Sequence, residues 1–160
     1  MSFAINKQKH KIIIYELNEV PRRLFDYYTS SYKFSSFSKL LKNGVIINTI
    51  TNDLGELHPW STWPSVHRGV YNNVHKIKFL NQDLSHSTFF KPIWQILNEN
   101  NVSLGIFGSL QSYPPLKGSN IKFYLPDTFS PNSDAYPHDL SLFQSFNLKL
   151  TSHNKAISRS

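Results

Sequence analysis

The chain has no cysteine among its 160 residues. That absence removes disulfides, thiolate zinc ligands and a cysteine nucleophile, and it fits a reducing compartment. Any bound metal must therefore come through oxygen and imidazole donors. Long apolar runs are missing too. The N-terminal MSFAINKQKHKIIIYEL is basic, but its uninterrupted apolar run, Ile12 to Tyr15, falls short of the roughly 7 to 15 residues of a secretory signal core. Nowhere do about 18 apolar residues follow one another, so no membrane span is expected and the chain reads as cytoplasmic. Acidic residues are scarce, 10 against 17 Lys and Arg, for a formal charge of +7. Such a balance suits an anionic partner, either nucleic acid or a phosphorylated substrate. Apart from Lys7, Lys9, Lys11 and the pair Arg22 and Arg23, however, the basic residues are spread singly. With no basic helix face and no specific nucleic-acid motif, scattered solvated charge is the plainer reading.

What is present suffices for one core. A hydrophobic fraction of 39% and an aromatic fraction of 14%, at a length typical of one domain, predict a single α/β domain over residues 1–160 with residues 1–10 as a flexible N-terminus. KIIIYEL at 11–17 lacks alternation, as a strand buried on both faces of a parallel sheet would. Asn18 is placed to cap a helix carrying RRLFDYY, with Glu19 and Pro21 in its first turn. SSFSKLLKNG predicts a second helix with Phe37, Leu40 and Leu41 at helical spacing and Gly44 ending it. VIINTI follows as a strand. FFKPIWQILNENN predicts a helix with Ile93, Ile96 and Leu97 on one face, and VSLGIFGS at 102–109 and IKFYLPD at 121–127 predict two more strands. The last segment is Pro/Ser-rich and then helical around LSLFQSFNLKL. The expected architecture is a mostly parallel sheet flanked by helices.

LHPWSTWPS at 57–65 packs two tryptophans, two prolines and a histidine around Ser61 and Thr62. It follows VIINTI, so this loop and Glu16 both fall at carboxyl ends of expected strands, where open α/β sheets bind ligands. A threonine opening a helix, with Pro64 two residues on, would sit where free N–H groups favour an anion. The ordinary alternative makes Thr62 or Ser61 the N-cap of a helix beginning near Trp63.

The stretch FSKLLKNGVIINTITNDLGELHPWSTWPS resembles the alkaline phosphatase superfamily, particularly its type I phosphodiesterase/nucleotide pyrophosphatase and sulfatase-like branches. That pattern runs from a strand ending in an acidic metal ligand, through a helix ending in Leu-x-x-x-Gly-Val and a strand carrying Asn, to a hydroxyl or thiol nucleophile two residues before Pro. Here those places hold Glu16, Leu40 to Val45, Asn48, and Thr62 with Pro64. Gly69 and His75 in RGVYNNVHKI are similar to the residues that close the family's nucleophile helix. The resemblance covers about residues 11 to 80 by motif, with weaker support in GIFGSLQSYPP and YLPDTFSP.

The resemblance implies an alkaline-phosphatase-like hydrolase domain, here its N-terminal part and so incomplete, acting on a small phosphoester. It implies two divalent ions, zinc as a rule, that lower the hydroxyl pKa and balance phosphoryl charge. Glu16 and Thr62 would ligate one ion, Thr62 would be the nucleophile, and Asn81 would donate to a phosphoryl oxygen. Asn81 is otherwise a turn residue in FLNQD. Three departures stand out. Glu16 replaces the usual Asp, Arg68 replaces Thr, and the interval from Thr62 to Gly69 is nearly one helical turn short, which makes Ser65 the alternative hydroxyl. A sulfatase formylglycine is made from Cys or Ser followed by x-Pro-x-Arg, and neither Thr62 nor Val66 fits. His58, His67, His75, His86, His138 and His153 show no tight ligand spacing, while Asp127, Asp134 and Asp139 read as turn and capping residues.

Two functions are thus expected to compete. One is a metal-dependent phosphodiesterase- or pyrophosphatase-like hydrolase, or a truncated fragment of one that needs its missing half to work. The other is a small non-catalytic α/β binding domain using WSTWPS as a rigid recognition loop. A sheet lacking its covering elements would also self-associate.

Overall fold

The computed structural model describes residues 11–80, 82–84 and 88–152, so the expectations for residues 1–10, Asn81, His86 and His153 lie outside the described residues. The chain divides into two compact units at Asn48/Thr49.

In the first unit, α1 spans Arg22–Ser31 and α2 spans Ser36–Asn43. Helix α1 starts later than its sequence predicts, because Glu19 has φ 55° and Pro21 holds the N-cap in an extended conformation. A residue before proline is pushed out of the α region, so the helix cannot reach back to Asn18. Helix α2 is capped as Ser-rich sequences should be, Ser35 Oγ accepting from the Ser38 amide at 3.1 Å. Gly44 does end α2, but in extended backbone (φ −107°, ψ 179°) rather than a left-handed turn. The two helices meet through Phe25 and Phe37 edge to face at 5.7 Å, and Ser38 Oγ donates to the Tyr32 carbonyl at 2.8 Å.

The strands expected at 11–17 and in VIINTI do not form. Neither segment pairs as a strand among the described residues, and Ile12, Ile13 and Ile14 are 83%, 90% and 70% exposed. A strand exists only through a partner's backbone, so an apolar run with extended propensity remains a loop where no ladder reaches it.

The second unit contains α3 (Pro59–Arg68), α4 (Asn72–His75), α5 (Ile93–Glu99), β1 (Leu104–Phe107), β2 (Ile121–Leu125), a 3-10 turn at His138–Leu140 and α6 (Ser141–Ser152). Strands β1 and β2 pair in parallel, Ile106 opposite Tyr124 and Phe107 opposite Leu125. This makes the chain α/β, with six helices and a two-stranded parallel sheet among the described residues. Two of the four expected strands are therefore present, and β1 is half-buried on one face rather than buried on both. Gly105 is required at the pairing, because a Cβ there would run into the Phe123 ring.

The core is Trp94, Ile121 and Tyr124, with Leu104, Ile106, Leu116 and Tyr136 packed against it. Helix α5 thus turns Trp94 inward, while Ile93 and Ile96, expected on the buried face, remain 39% and 43% exposed. The indole is the residue of α5 that joins the core, and aromatic side chains bury the most area per residue there. The phenol of Tyr124 donates to the Ser112 carbonyl at 2.6 Å, which satisfies its one polar atom inside the core. Helix α6 is fastened by buried Gln144, whose Nε2 donates to the Asp127 carbonyl and to Ser130 Oγ, both at 2.9 Å. No helix is long and apolar enough to cross a membrane among the described residues.

Candidate functional site

Helix α3 begins three residues earlier than a helix starting at Thr62 would, with His58 as N-cap and Pro59 in the first turn. Proline is favoured there since its missing N–H would be unpaired anyway. Thr62 is consequently inside the helix, and its Oγ1 donates to the His58 carbonyl at 3.1 Å. Its hydroxyl hydrogen serves its own helix. Pro64 lies inside α3 as well, and its ring nitrogen cannot bond the Trp60 carbonyl one turn back. Gln111, in the loop leaving the carboxyl end of β1, repairs that loss by donating Nε2 to Trp60 O at 2.7 Å. The helix then stops at Gly69, left-handed at φ 66°, whose N–H donates to Ser65 O.

Ser65 faces a cluster that sequence reading missed. Its hydroxyl donates to Asp53 Oδ2 at 2.6 Å, and its Oγ lies 2.9 Å from His75 Nε2. Asp53 Oδ1 accepts from the Asn72 amide at 2.7 Å, and His75 Nδ1 accepts from the Ile77 amide at 2.9 Å. Asn72 extends the network, its Oδ1 accepting from the Leu54 amide and its Nδ2 donating to Leu54 O and to Ser61 Oγ. Asp53, Asn72 and His75 are buried, and Ser65 is half-buried. Burial pushes the His75 pKa below its ordinary 6.5; Asp53 opposes that shift and Arg68 adds to it. Burial likewise lowers Arg68, whose guanidinium donates to the Phe90 carbonyl.

Beside the network lies an open cleft of about 230 Å³ between Leu54, His58, Ser61, Asn72, Lys78 and Phe79. Its size is under the roughly 300–1,000 Å³ of pockets for drug-sized ligands. The His58 ring, which lines the cleft, stacks on Trp60 at 4.8 Å.

Of the residues singled out from sequence, Ser65 and His75 come together in this cluster. Glu16 is half-buried in the first unit, whereas the cluster is built wholly from the second. Asn48 Oδ1 accepts from Arg22 Nη1 at 2.9 Å within the first unit. Asp127 is a turn residue as expected, its Oδ1 accepting from the Phe129 amide at 2.8 Å, but it is also buried, which raises its pKa. The signal for Asp53 was its place just past VIINTI, where the end of an expected strand meets the loop.

The zinc pair implied by the superfamily resemblance does not fit these groups. Both Asp53 oxygens and both His75 nitrogens are committed to protein partners, and among the described residues no three His, Asp or Glu side chains gather to hold an ion. No protein-family model, curated protein or solved structure matches the chain.

Proposed function

We propose that the chain acts on small phosphoesters, with Ser65 as the attacking hydroxyl and Asp53 as the base that receives its proton. One observation carries this reading: the 2.6 Å hydrogen bond from Ser65 Oγ to a buried carboxylate. A serine hydroxyl is a weak nucleophile until an adjacent base takes its proton, and Asp53 lies within the reach such a base needs. Thr62, the nucleophile that the superfamily resemblance implies, has its own helix carbonyl as acceptor and so lacks that help, whereas the alternative hydroxyl Ser65 has it. As the Ser65 Oγ–phosphorus bond forms, the Ser65 O–H proton passes to Asp53 and the leaving alkoxide departs with a proton from the same carboxyl. Water then attacks the phosphoseryl group, giving a proton to Asp53, and the Ser65 Oγ–phosphorus bond breaks as that proton returns to Ser65 Oγ and the phosphate product leaves. A phosphodiester, with one negative charge, suits a nucleophile beside a carboxylate better than a doubly charged monoester does.

The test is release of nitrophenol from bis(4-nitrophenyl) phosphate by purified protein. Ser65→Ala is expected to abolish turnover, Asp53→Asn to reduce kcat by about 10²–10⁴-fold, and Thr62→Ala to leave most of it. Turnover that survives in Ser65→Ala and vanishes in Thr62→Ala would move the nucleophile to Thr62. A folded parent that is inert with and without zinc would instead favour the non-catalytic binding domain.

A further inference from the structure

Hydrogens run through the Asp53–Ser65–His75 cluster in one direction. An amide N–H can only donate, so the Ile77 amide at 2.9 Å obliges His75 Nδ1 to keep its lone pair. In a neutral imidazole the ring hydrogen then sits on Nε2, which lies 2.9 Å from Ser65 Oγ and must donate to it. Ser65 is left with its own hydrogen, and Asp53 Oδ2 at 2.6 Å is a closer acceptor than the Ser61 carbonyl at 3.3 Å. The other Asp53 oxygen is already occupied by the Asn72 amide. A proton on Nδ1 would set two hydrogens against each other around a ring that is 0% exposed.

We propose that His75 is a positioning residue and not the base: the Ile77 amide locks its Nε2–H tautomer, and the imidazole turns the Ser65 hydroxyl hydrogen onto Asp53. In a serine–histidine pair where imidazole is the base, Nε2 accepts from the hydroxyl; here the polarity is reversed. The catalytic consequence rests on the phosphoester reading, while the tautomer does not. During attack the Ser65 proton moves to Asp53 and His75 keeps its hydrogen throughout, its Nε2–H holding Ser65 Oγ in place.

Two-bond proton–nitrogen spectra of the full chain labelled with nitrogen-15 read the tautomer directly. His75 is expected to show a protonated Nε2 and a bare Nδ1 at neutral pH. A protonated Nδ1, in either the other tautomer or an imidazolium, would overturn the proposal. The kinetic arm uses His75→Gln, which keeps an N–H donor at the distal position, and His75→Leu, which does not. Gln is expected to stay within about tenfold of the parent kcat and Leu to lose about 100-fold, the scale of a misplaced reacting group, with KM unchanged in both. Equal losses in two folded variants would also overturn it. Should a variant fail to fold, the parent spectrum decides alone. An Nε2–H tautomer in a parent without phosphodiesterase activity would overturn the hydrolase reading and leave the tautomer lock standing.

Discussion

The two units carry similar apolar runs and treat them differently. KIIIYEL and the opening VIIN of VIINTI lie in the first and are richer in β-branched residues than LGIF and IKFYL in the second. Only the latter two pair, and every buried residue among those described lies in the second unit. Extended propensity is thus not what separates a strand from an exposed loop. The difference is non-local: β1 and β2 have each other's backbone as a partner and Trp94 as a lid, while Ile12–Ile14 and Val45–Ile47 have neither.

The sharpest way to break this contrast is at Trp94. Trp94→Ala should cost about 3–5 kcal/mol, the usual loss for a buried indole, whereas Phe37→Ala in the first unit should cost only the about 0.5–1.5 kcal/mol of an aromatic pair plus modest burial. Urea titration followed by circular dichroism compares them. Next in size is Asp53→Ala, which strips the Asn72 amide of its acceptor inside the protein and should destabilise by about 1–3 kcal/mol; the same titration reads it.

A pH effect follows from His75. Its folded pKa is depressed, so the unfolded chain takes up the proton first as the solution is acidified. The stability it contributes is fully present above the ordinary 6.5 and is lost as pH falls through that value toward the folded one. His75→Gln should flatten this part of the stability–pH curve, measured as the difference between variant and parent at about pH 7.5 and about pH 5.5. The smallest folding effect is expected from Ile13→Lys, within about 0.5 kcal/mol because the side chain is 90% exposed. That same change should reduce self-association in light scattering, since it interrupts an uncovered apolar run. If Ile13→Lys instead unfolded the protein, the contrast between the units would collapse.

The candidate site was legible only in pieces. Ser65 could be named because an aligned interval was short, and His75 because it closed a motif; Asp53 was marked only by its place past VIINTI, and nothing local shows that a carboxylate there meets a serine twelve residues along the chain. Thr62 stands inside its helix and not at its start for a related reason. Pro64 looked like an early helical proline, yet Pro59 held that place, and Pro64 is accommodated in mid-helix through Gln111. No reading of residues 57–65 alone contains that side chain.

Sequence by itself marked where α1, α2, α5 and α6 would form, through capping residues and apolar spacing that act within a turn of where they stand, though not every helix boundary. It also marked four apolar runs with extended propensity, two of which became strands, and excluded any thiol chemistry. Tertiary structure decided which apolar runs became a sheet, that Trp94 and not Ile93 or Ile96 would join the core, and that Ser65 would meet Asp53 and His75. Caps and periodicity depend on neighbours in the chain. Ladders, cores and proton paths depend on groups that only folding brings within hydrogen-bond reach.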